Sequence, residues 1–246
     1  MDKKISEIKL IAGPCSAESR EQVLETAAGL KGLGLEAFRA GLWKPRSNYG
    51  TFEGVGTAGL PWMKEVQAMG MKIITEVALP RHVEAVLEAG FDMVWIGART
   101  TVSPFMMSEL AAALRGVDIP VFVKNPVSPD IKLWVGGMER LAHENIKDIR
   151  AVHRGFYLLD NSPYRNSPLW QCIGMLKENY PDMPLYCDPS HIAGKRALVP
   201  EICQRALEEG VDGLFIESHT DPSCALSDAS QQLEPDDLKK MLELLK

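Results

Sequence analysis

Eight short apolar runs alternate with eight segments of helical spacing, an order that restricts the chain to a parallel α/β sheet. The runs cover residues 10–12, 37–40, 72–77, 93–96, 120–123, 149–152, 185–187 and 213–216, and their Val, Ile, Leu and Phe content suits strands buried on both faces. The spacing predicts helices over 20–33, 58–69, 80–89, 105–114, 133–144, 167–179, 198–209 and 235–245. Start and stop signals agree: Ser19 precedes the first helix, Leu79-Pro80-Arg81 opens the third, Gly90 and Gly210 follow the third and seventh, and Glu234-Pro235-Asp236-Asp237 opens the last. Eight such units with right-handed crossovers favour closure into a single (β/α)8 TIM barrel, for which about 250 residues is the usual length.

An open doubly wound sheet is the alternative. It needs a glycine-rich phosphate loop after the first strand, and Gly13-Pro14-Cys15-Ser16 puts proline and cysteine where backbone must approach a pyrophosphate. No composition break divides the chain, so residues 1–246 are expected to form one catalytic barrel, with 1–9 a short lead-in and no N-terminal regulatory domain. The 46% hydrophobic and 24% charged content fits a packed globular chain rather than a disordered one. No apolar stretch approaches the roughly 18 residues of a membrane span, and the start MDKKISEIKL lacks a signal-peptide core, so no membrane partner is expected. Five cysteines without CxxC spacing fit a reducing, cytoplasmic setting, and four of them are expected to be buried packing residues. A net charge of −6 without a basic run argues against nucleic acid as a partner.

Barrels of this type hang their catalytic side chains from the carboxyl ends of the strands. Just beyond the eight runs stand Cys15, Lys44 with Arg46, Glu76, Arg99, Lys124, Arg154, Asp188 with His191, and Glu217. Cys15, His191, Glu217 and Asp228 come from or follow strands one, seven and eight, which become neighbours on closure. Thiolate, imidazole and two carboxylates suit one divalent transition ion, manganese foremost, with iron, cobalt or zinc also compatible, rather than calcium. Taken singly, Cys15 reads as a small buried residue, Asp228 as a turn or cap residue, and His191 equally as a capping or hydrogen-bonding group. Glu217 ends an apolar strand, where a buried carboxylate demands a cation. His219 competes for the fourth ligand place on residue type.

Arg39, Lys44, Arg46, Arg99, Lys124 and Arg154 stand at or after the ends of strands two, four, five and six. This many cations on one rim of an acidic protein imply anionic substrates. Set against a divalent ion held by one thiolate and two carboxylates, they leave roughly +5, enough for two phosphoryl groups and a carboxylate. Arginine offers a planar fork for phosphate or carboxylate, whereas lysine is a point charge that can release a proton, so Lys44 is the candidate acid.

Gly13-Pro-Cys-Ser, Lys44-Pro-Arg-Ser, Gly97-Ala-Arg, Asp188-Pro-Ser-His and Leu226-Ser-Asp occur in this order. Together they resemble the type I 3-deoxy-D-arabino-heptulosonate 7-phosphate (DAHP) synthases, of the subclass related to 3-deoxy-D-manno-octulosonate 8-phosphate (KDO8P) synthase. The resemblance runs from about Leu10 to the last residue. It implies condensation of phosphoenolpyruvate with erythrose 4-phosphate, the first step of the shikimate pathway. By the same resemblance, Cys15, His191, Glu217 and Asp228 are metal ligands, and His219 becomes a supporting neighbour. Arg99 and Arg154 hold the phosphoenolpyruvate phosphate, Arg39, Lys44 and Lys124 surround its carboxylate, and Arg46 and Ser47 take the sugar phosphate. It further implies a homo-oligomer, dimer or tetramer, and in some relatives a fused or associated chorismate mutase domain, which is not present in this chain.

KDO8P synthase, which uses arabinose 5-phosphate, is the competing reading; its relatives carry Lys-Ala-Asn-Arg where this chain has Lys44-Pro-Arg-Ser, which favours the shorter sugar. A barrel that binds phosphosugars without catalysis is the alternative from another class. Residues 125–133 and 160–167 depart from the family pattern, so no substrate contacts are carried onto them.

Overall fold

The computed structural model describes residues 7–46, 48–159 and 161–245. Strands β1 (Lys9–Gly13), β2 (Ala37–Arg39), β3 (Ile73–Val77), β4 (Met93–Ile96), β5 (Val121–Lys124), β6 (Ile149–His153), β7 (Leu185–Cys187) and β8 (Gly213–Glu217) form one closed parallel barrel in chain order. The expected (β/α)8 TIM barrel is therefore borne out. Closure is made by β1 and β8, paired from Lys9↔Gly213 to Gly13↔Glu217.

Around the barrel lie α1 (Arg20–Leu30), α2 (Leu60–Ala68), α3 (Pro80–Glu88), α4 (Ala98–Thr101), α5 (Pro104–Ala113), α6 (Ile131–His143), α7 (Gln171–Asn179), α8 (Pro189–Ala193), α9 (Val199–Glu208) and α10 (Pro235–Leu244). Ser19 caps α1 by accepting from the Gln22 amide at 3.1 Å, as the sequence signal indicated. Two helices deviate from expectation. α1 ends at Leu30 rather than 33, and α7 starts at Gln171 rather than 167, because Ser167 is paired with Phe156 in an antiparallel bridge. The short α4 and α8 each span too few residues for a periodic signal.

The barrel interior follows from the two-residue period of the strands. Ile11, Ala37, Ile74, Met93, Trp95, Phe122, Val152, Tyr186 and Phe215 form its inner core. Their neighbours on the strands, such as Phe38, Val121, Val123, Leu214 and Ile216, pack outward under the helices. At the amino end Arg150 closes the interior by pairing with Glu36 at 2.6 Å and Asp148 at 2.7 Å, and the Tyr186 hydroxyl donates to Glu36 at 2.6 Å.

Among the described residues no helix is long and apolar enough to cross a membrane. The described cysteines are all free; Cys15, Cys172, Cys187 and Cys203 are buried, the four expected, and Cys224 is exposed at the end of the short turn after Asp221.

Candidate active site

One step of two residues beyond most of the inner core residues, the same strand face carries charge. Arg39 follows Ala37, Lys124 follows Phe122, Arg154 follows Val152, Asp188 follows Tyr186 and Glu217 follows Phe215. These side chains stand on an aromatic floor. The Arg39 guanidinium lies 4.7 Å from the centre of the Phe215 ring and 5.0 Å from that of Trp95, and the Lys124 ammonium 4.8 Å and 5.7 Å from the same rings.

Buried cations need buried anions. Arg39 Nη2 donates to Glu217 Oε1 at 3.0 Å, and Lys124 Nζ donates to Asp188 Oδ2 at 2.6 Å. Arg39 Nε and Nη1 have no hydrogen-bond partner although the residue is fully buried, so the fork has donors to spare. Burial lowers the Lys124 pKa and the nearby Arg39 charge adds to this, with Asp188 opposing. Burial would raise Asp188, but His191, Lys124 and Arg39 hold it well below the usual carboxylate range.

The structure brings the four sequence-selected metal ligands together. Cys15, Glu217 and Asp228 each offer a ligand atom, all within 4.8 Å of one another. His191 adjoins them, with Nε2 3.6 Å from Asp228 Oδ2 and Nδ1 3.7 Å from Glu217 Oε1. Its Nδ1 also lies 2.8 Å from Asp188 Oδ2, off the line a hydrogen bond requires. Asp188 caps α8 by accepting from the His191 amide at 3.0 Å, which fixes the turn carrying the imidazole.

Asp228 adopts φ +48°, a conformation disfavoured for a residue with a side chain, and its loop is tied back by the Ser218↔Leu233 bridge. Burial, with Glu217 adding, pushes the Cys15 thiol up to about 12. Burial lowers the His191 pKa against the opposing pull of Asp188 and Glu217, and the neutral imidazole is the form that ligates a metal. Two carboxylates and a thiol converging in a buried site fit a divalent transition ion in chemistry and spacing. His219 faces elsewhere: its Nδ1 accepts from the Asp221 amide at 3.0 Å, and its Nε2 lies 3.8 Å from Glu18.

Lys44, Arg46, Arg99, Lys124, Arg154, His191 and Asp228 line one cavity. Lys44 is 8% exposed, donates to the Cys15 main-chain oxygen at 3.1 Å and lies 3.6 Å from Glu76 Oε2. Burial pulls its ammonium pKa down, but Cys15, Glu76 and Glu217 outweigh that and hold it above the usual lysine range. The group is thus protonated, as an acid must be. Arg154 is buried, with its pKa lowered to about 10 by burial and by the charges of Arg165 and Arg99. Arg99, by contrast, is exposed on α4. Ser47 lies outside the described residues. A separate cavity of about 460 Å³ at the amino end, lined mostly by apolar residues such as Ile8, Leu33 and Leu242 with Lys239 and Glu243 beside them, lacks this convergence.

The rim charge differs from the sequence count. Glu76 and Asp188 offset two of the cations through Lys44 and Lys124, and Arg165 adds one that the sequence analysis missed. Arg165 Nη1 donates to Asp228 Oδ1 at 2.8 Å. Asn166 takes Arg154 Nη1 at 2.8 Å and donates to the His191 main-chain oxygen at 2.7 Å, while Asn125 accepts from the Arg154 amide at 2.7 Å. These residues lie in the loops to which no role had been carried; a polar loop residue carries no periodic signal.

A closed (β/α)8 barrel whose mouth joins a thiol–carboxylate cluster to guanidinium and ammonium groups belongs among barrel enzymes that act on anionic substrates. Residues 4–246 match the family model of the DAHP synthetase I family, and the chain belongs to that family. It is 30% identical to the phospho-2-dehydro-3-deoxyheptonate aldolase of Thermotoga maritima, over 96% of this chain and 68% of that protein. A crystal structure of the Thermotoga maritima DAHP synthase superposes with a TM-score of 0.86 at 30% identity, covering 96% of this chain and 67% of that one. A 2-dehydro-3-deoxyphosphooctonate aldolase of Nitratidesulfovibrio vulgaris is 27% identical over 96% of this chain and 90% of its own length. The resemblance read from the five motifs is therefore borne out.

Proposed function

We propose that the chain condenses phosphoenolpyruvate with erythrose 4-phosphate to give DAHP and inorganic phosphate, the entry to the shikimate pathway that leads to chorismate and the aromatic amino acids. The observation that carries this reading is the group formed by Cys15, Glu217 and Asp228 beside Lys44 and the buried Arg39, within a barrel of the DAHP synthetase I family. Cys15, His191, Glu217 and Asp228 would hold one divalent ion, manganese foremost. Such an ion, when bound, supplies Lewis-acid polarisation of the aldehyde oxygen.

The protein's own groups divide the remaining work. The spare donors of Arg39, with Lys44 and Lys124, grip the phosphoenolpyruvate carboxylate. Arg99 and Arg154 take its phosphoryl group, and Arg46 and Ser47 the sugar phosphate. Lys44 Nζ, protonated and steadied by Glu76, gives its proton to the aldehyde oxygen as C3 of phosphoenolpyruvate bonds to the aldehyde carbon. Water adds at C2 and loses one proton to solvent, and the hemiketal phosphate breaks the C2–O bond to its phosphoryl group as the new C2 hydroxyl gives up its proton and becomes the carbonyl, releasing phosphate. Free cysteines suit a cytoplasmic setting, and a homo-oligomer would cover exposed apolar residues such as Phe105.

The test is phosphate release from phosphoenolpyruvate with erythrose 4-phosphate or arabinose 5-phosphate, before chelation, after it, and after metal is restored. Turnover should favour erythrose 4-phosphate, vanish on chelation and return with the metal. Preference for arabinose 5-phosphate would move the chain to the octulosonate reaction, and inactivity with both sugars after remetallation would leave a binding barrel.

A further inference from the structure

Carboxylate ligands need their orientation fixed by groups behind them, since each has two oxygens and a free rotation. Around the Cys15 cluster, that orientation comes from three residues to which the proposed mechanism gives no role. Arg165 Nη1 donates to Asp228 Oδ1 at 2.8 Å, leaving Oδ2 turned towards Cys15 Sγ at 3.5 Å and His191 Nε2 at 3.6 Å. The same Arg165 nitrogen donates to Gln231 Oε1 at 2.8 Å, and Gln231 Nε2 donates to Glu217 Oε2 at 2.7 Å. Next in sequence, Gln232 accepts from the Cys15 amide at 2.9 Å through Oε1 and donates to the Ser227 carbonyl at 2.8 Å. Both glutamines are fully buried.

We infer that Arg165, Gln231 and Gln232 are positioning residues that set the metal ligands Cys15, Glu217 and Asp228 in register. Arg165 decides which end of the Gln231 amide faces Glu217, because it takes the carbonyl end and leaves only the NH2 for the carboxylate. One guanidinium thereby orients two carboxylates, Glu217 at the end of β8 and Asp228 in the loop that follows. The Arg165 backbone is itself fixed against the turn carrying His191, with its amide donating to Ala193 at 3.4 Å. A Cβ on Gly194 would meet the Arg165 Cβ at 2.4 Å, so the two segments are in close contact. The burial of Gln231 and Gln232 costs little only because each amide is bonded at both ends.

This inference rests on the metal reading above and is tested apart from activity. Chelator-stripped wild type, Arg165→Ala, Arg165→Lys, Gln231→Met and the Arg165→Ala/Gln231→Met double variant are titrated with Mn²⁺ alone. The Co²⁺-loaded forms are examined for their thiolate-to-metal charge-transfer band, and the metal-free forms for melting temperature. Each of Arg165→Ala and Gln231→Met should weaken Mn²⁺ binding by about 10–100-fold with the apo melting temperature retained. Arg165→Lys, which keeps the charge and loses the fork, should fall between. The double variant should lose less than the two single losses combined, as for residues of one network. The cobalt band should shift in Gln231→Met. If Gln231→Met folds poorly, the Arg165 pair decides.

Wild-type affinity in the Arg165 variants would overturn the inference, and so would an effect confined to the KM for phosphoenolpyruvate. Wild type that binds no metal would overturn the metal reading and this inference with it.

Discussion

Arg39 remains inside the barrel because its charge is met on two sides, by Glu217 at 3.0 Å and by the faces of Phe215 and Trp95. Its residue type and position were legible in the sequence, at the end of an apolar strand. Its partner was not, because Glu217 lies 178 residues away and only closure of β1 on β8 brings it near. Asp228 read by type as a turn or cap residue and was singled out only through the Leu226-Ser-Asp motif; its backbone in the cluster stands at φ +48°. Two expectations belong at this scale. Arg46→Ala should raise the KM for erythrose 4-phosphate by tenfold or more, in the order of ~1.4 kcal/mol of lost binding. The KM for phosphoenolpyruvate should change far less, as steady-state kinetics with each substrate varied will reveal. The Cys15 thiol, held at about 12, must lose its proton to bind metal. Apparent metal affinity should therefore rise with pH across the neutral range. Calorimetric titration in buffers of differing ionisation enthalpy should detect a proton released; affinity independent of pH would remove Cys15 from the ligand set.

At the scale of elements, the strands were the most legible part, since each is a short apolar run with a charged or polar residue at or just beyond its end. The ends of helices were less so. α7 begins late because the Phe156↔Ser167 bridge claims the chain first, and that bridge presents Arg165 and Asn166 to the mouth. The turn from β4 into α4 carries a steric constraint visible only in three dimensions. A Cβ on Gly97 would lie 2.0 Å from Glu76 Oε1, and Glu76 is the carboxylate beside Lys44. Gly97→Ala should displace Glu76, lowering kcat at least tenfold while far-ultraviolet circular dichroism keeps the barrel signature. Wild-type kcat in that variant would separate the Glu76–Lys44 pair from catalysis.

At the scale of the whole molecule, the barrel and the division of its mouth into a ligand half and a cation half could be read from the order of residues. The bracing could not: Asn166 joins Arg154 of the cation half to the His191 turn, and within the ligand half Arg165 joins Asp228 to Gln231, through polar contacts without a repeating pattern. Global stability carries its own pH signature. His153 is fully buried near Trp134, Phe156 and Trp170, and burial lowers its pKa to about 4. The unfolded chain, with an imidazole near 6.5, binds more protons between these values, so stability is complete above about pH 6.5 and falls as pH drops towards 4. The loss attributable to this residue is about 3 kcal/mol at its limit. Urea unfolding at pH 7 and pH 4.5 should record the decline, and His153→Phe should flatten it; an equal decline in both proteins would assign it to other groups.

The most direct measurement of the central claim is a crystal structure of the chelator-stripped protein reloaded with Mn²⁺, with anomalous scattering used to locate the ion. The account predicts one strong peak bonded to Cys15 Sγ, His191, Glu217 and Asp228, beside Arg39 and Lys44. A peak held by other residues, or no peak in protein that turns over phosphoenolpyruvate, would contradict it.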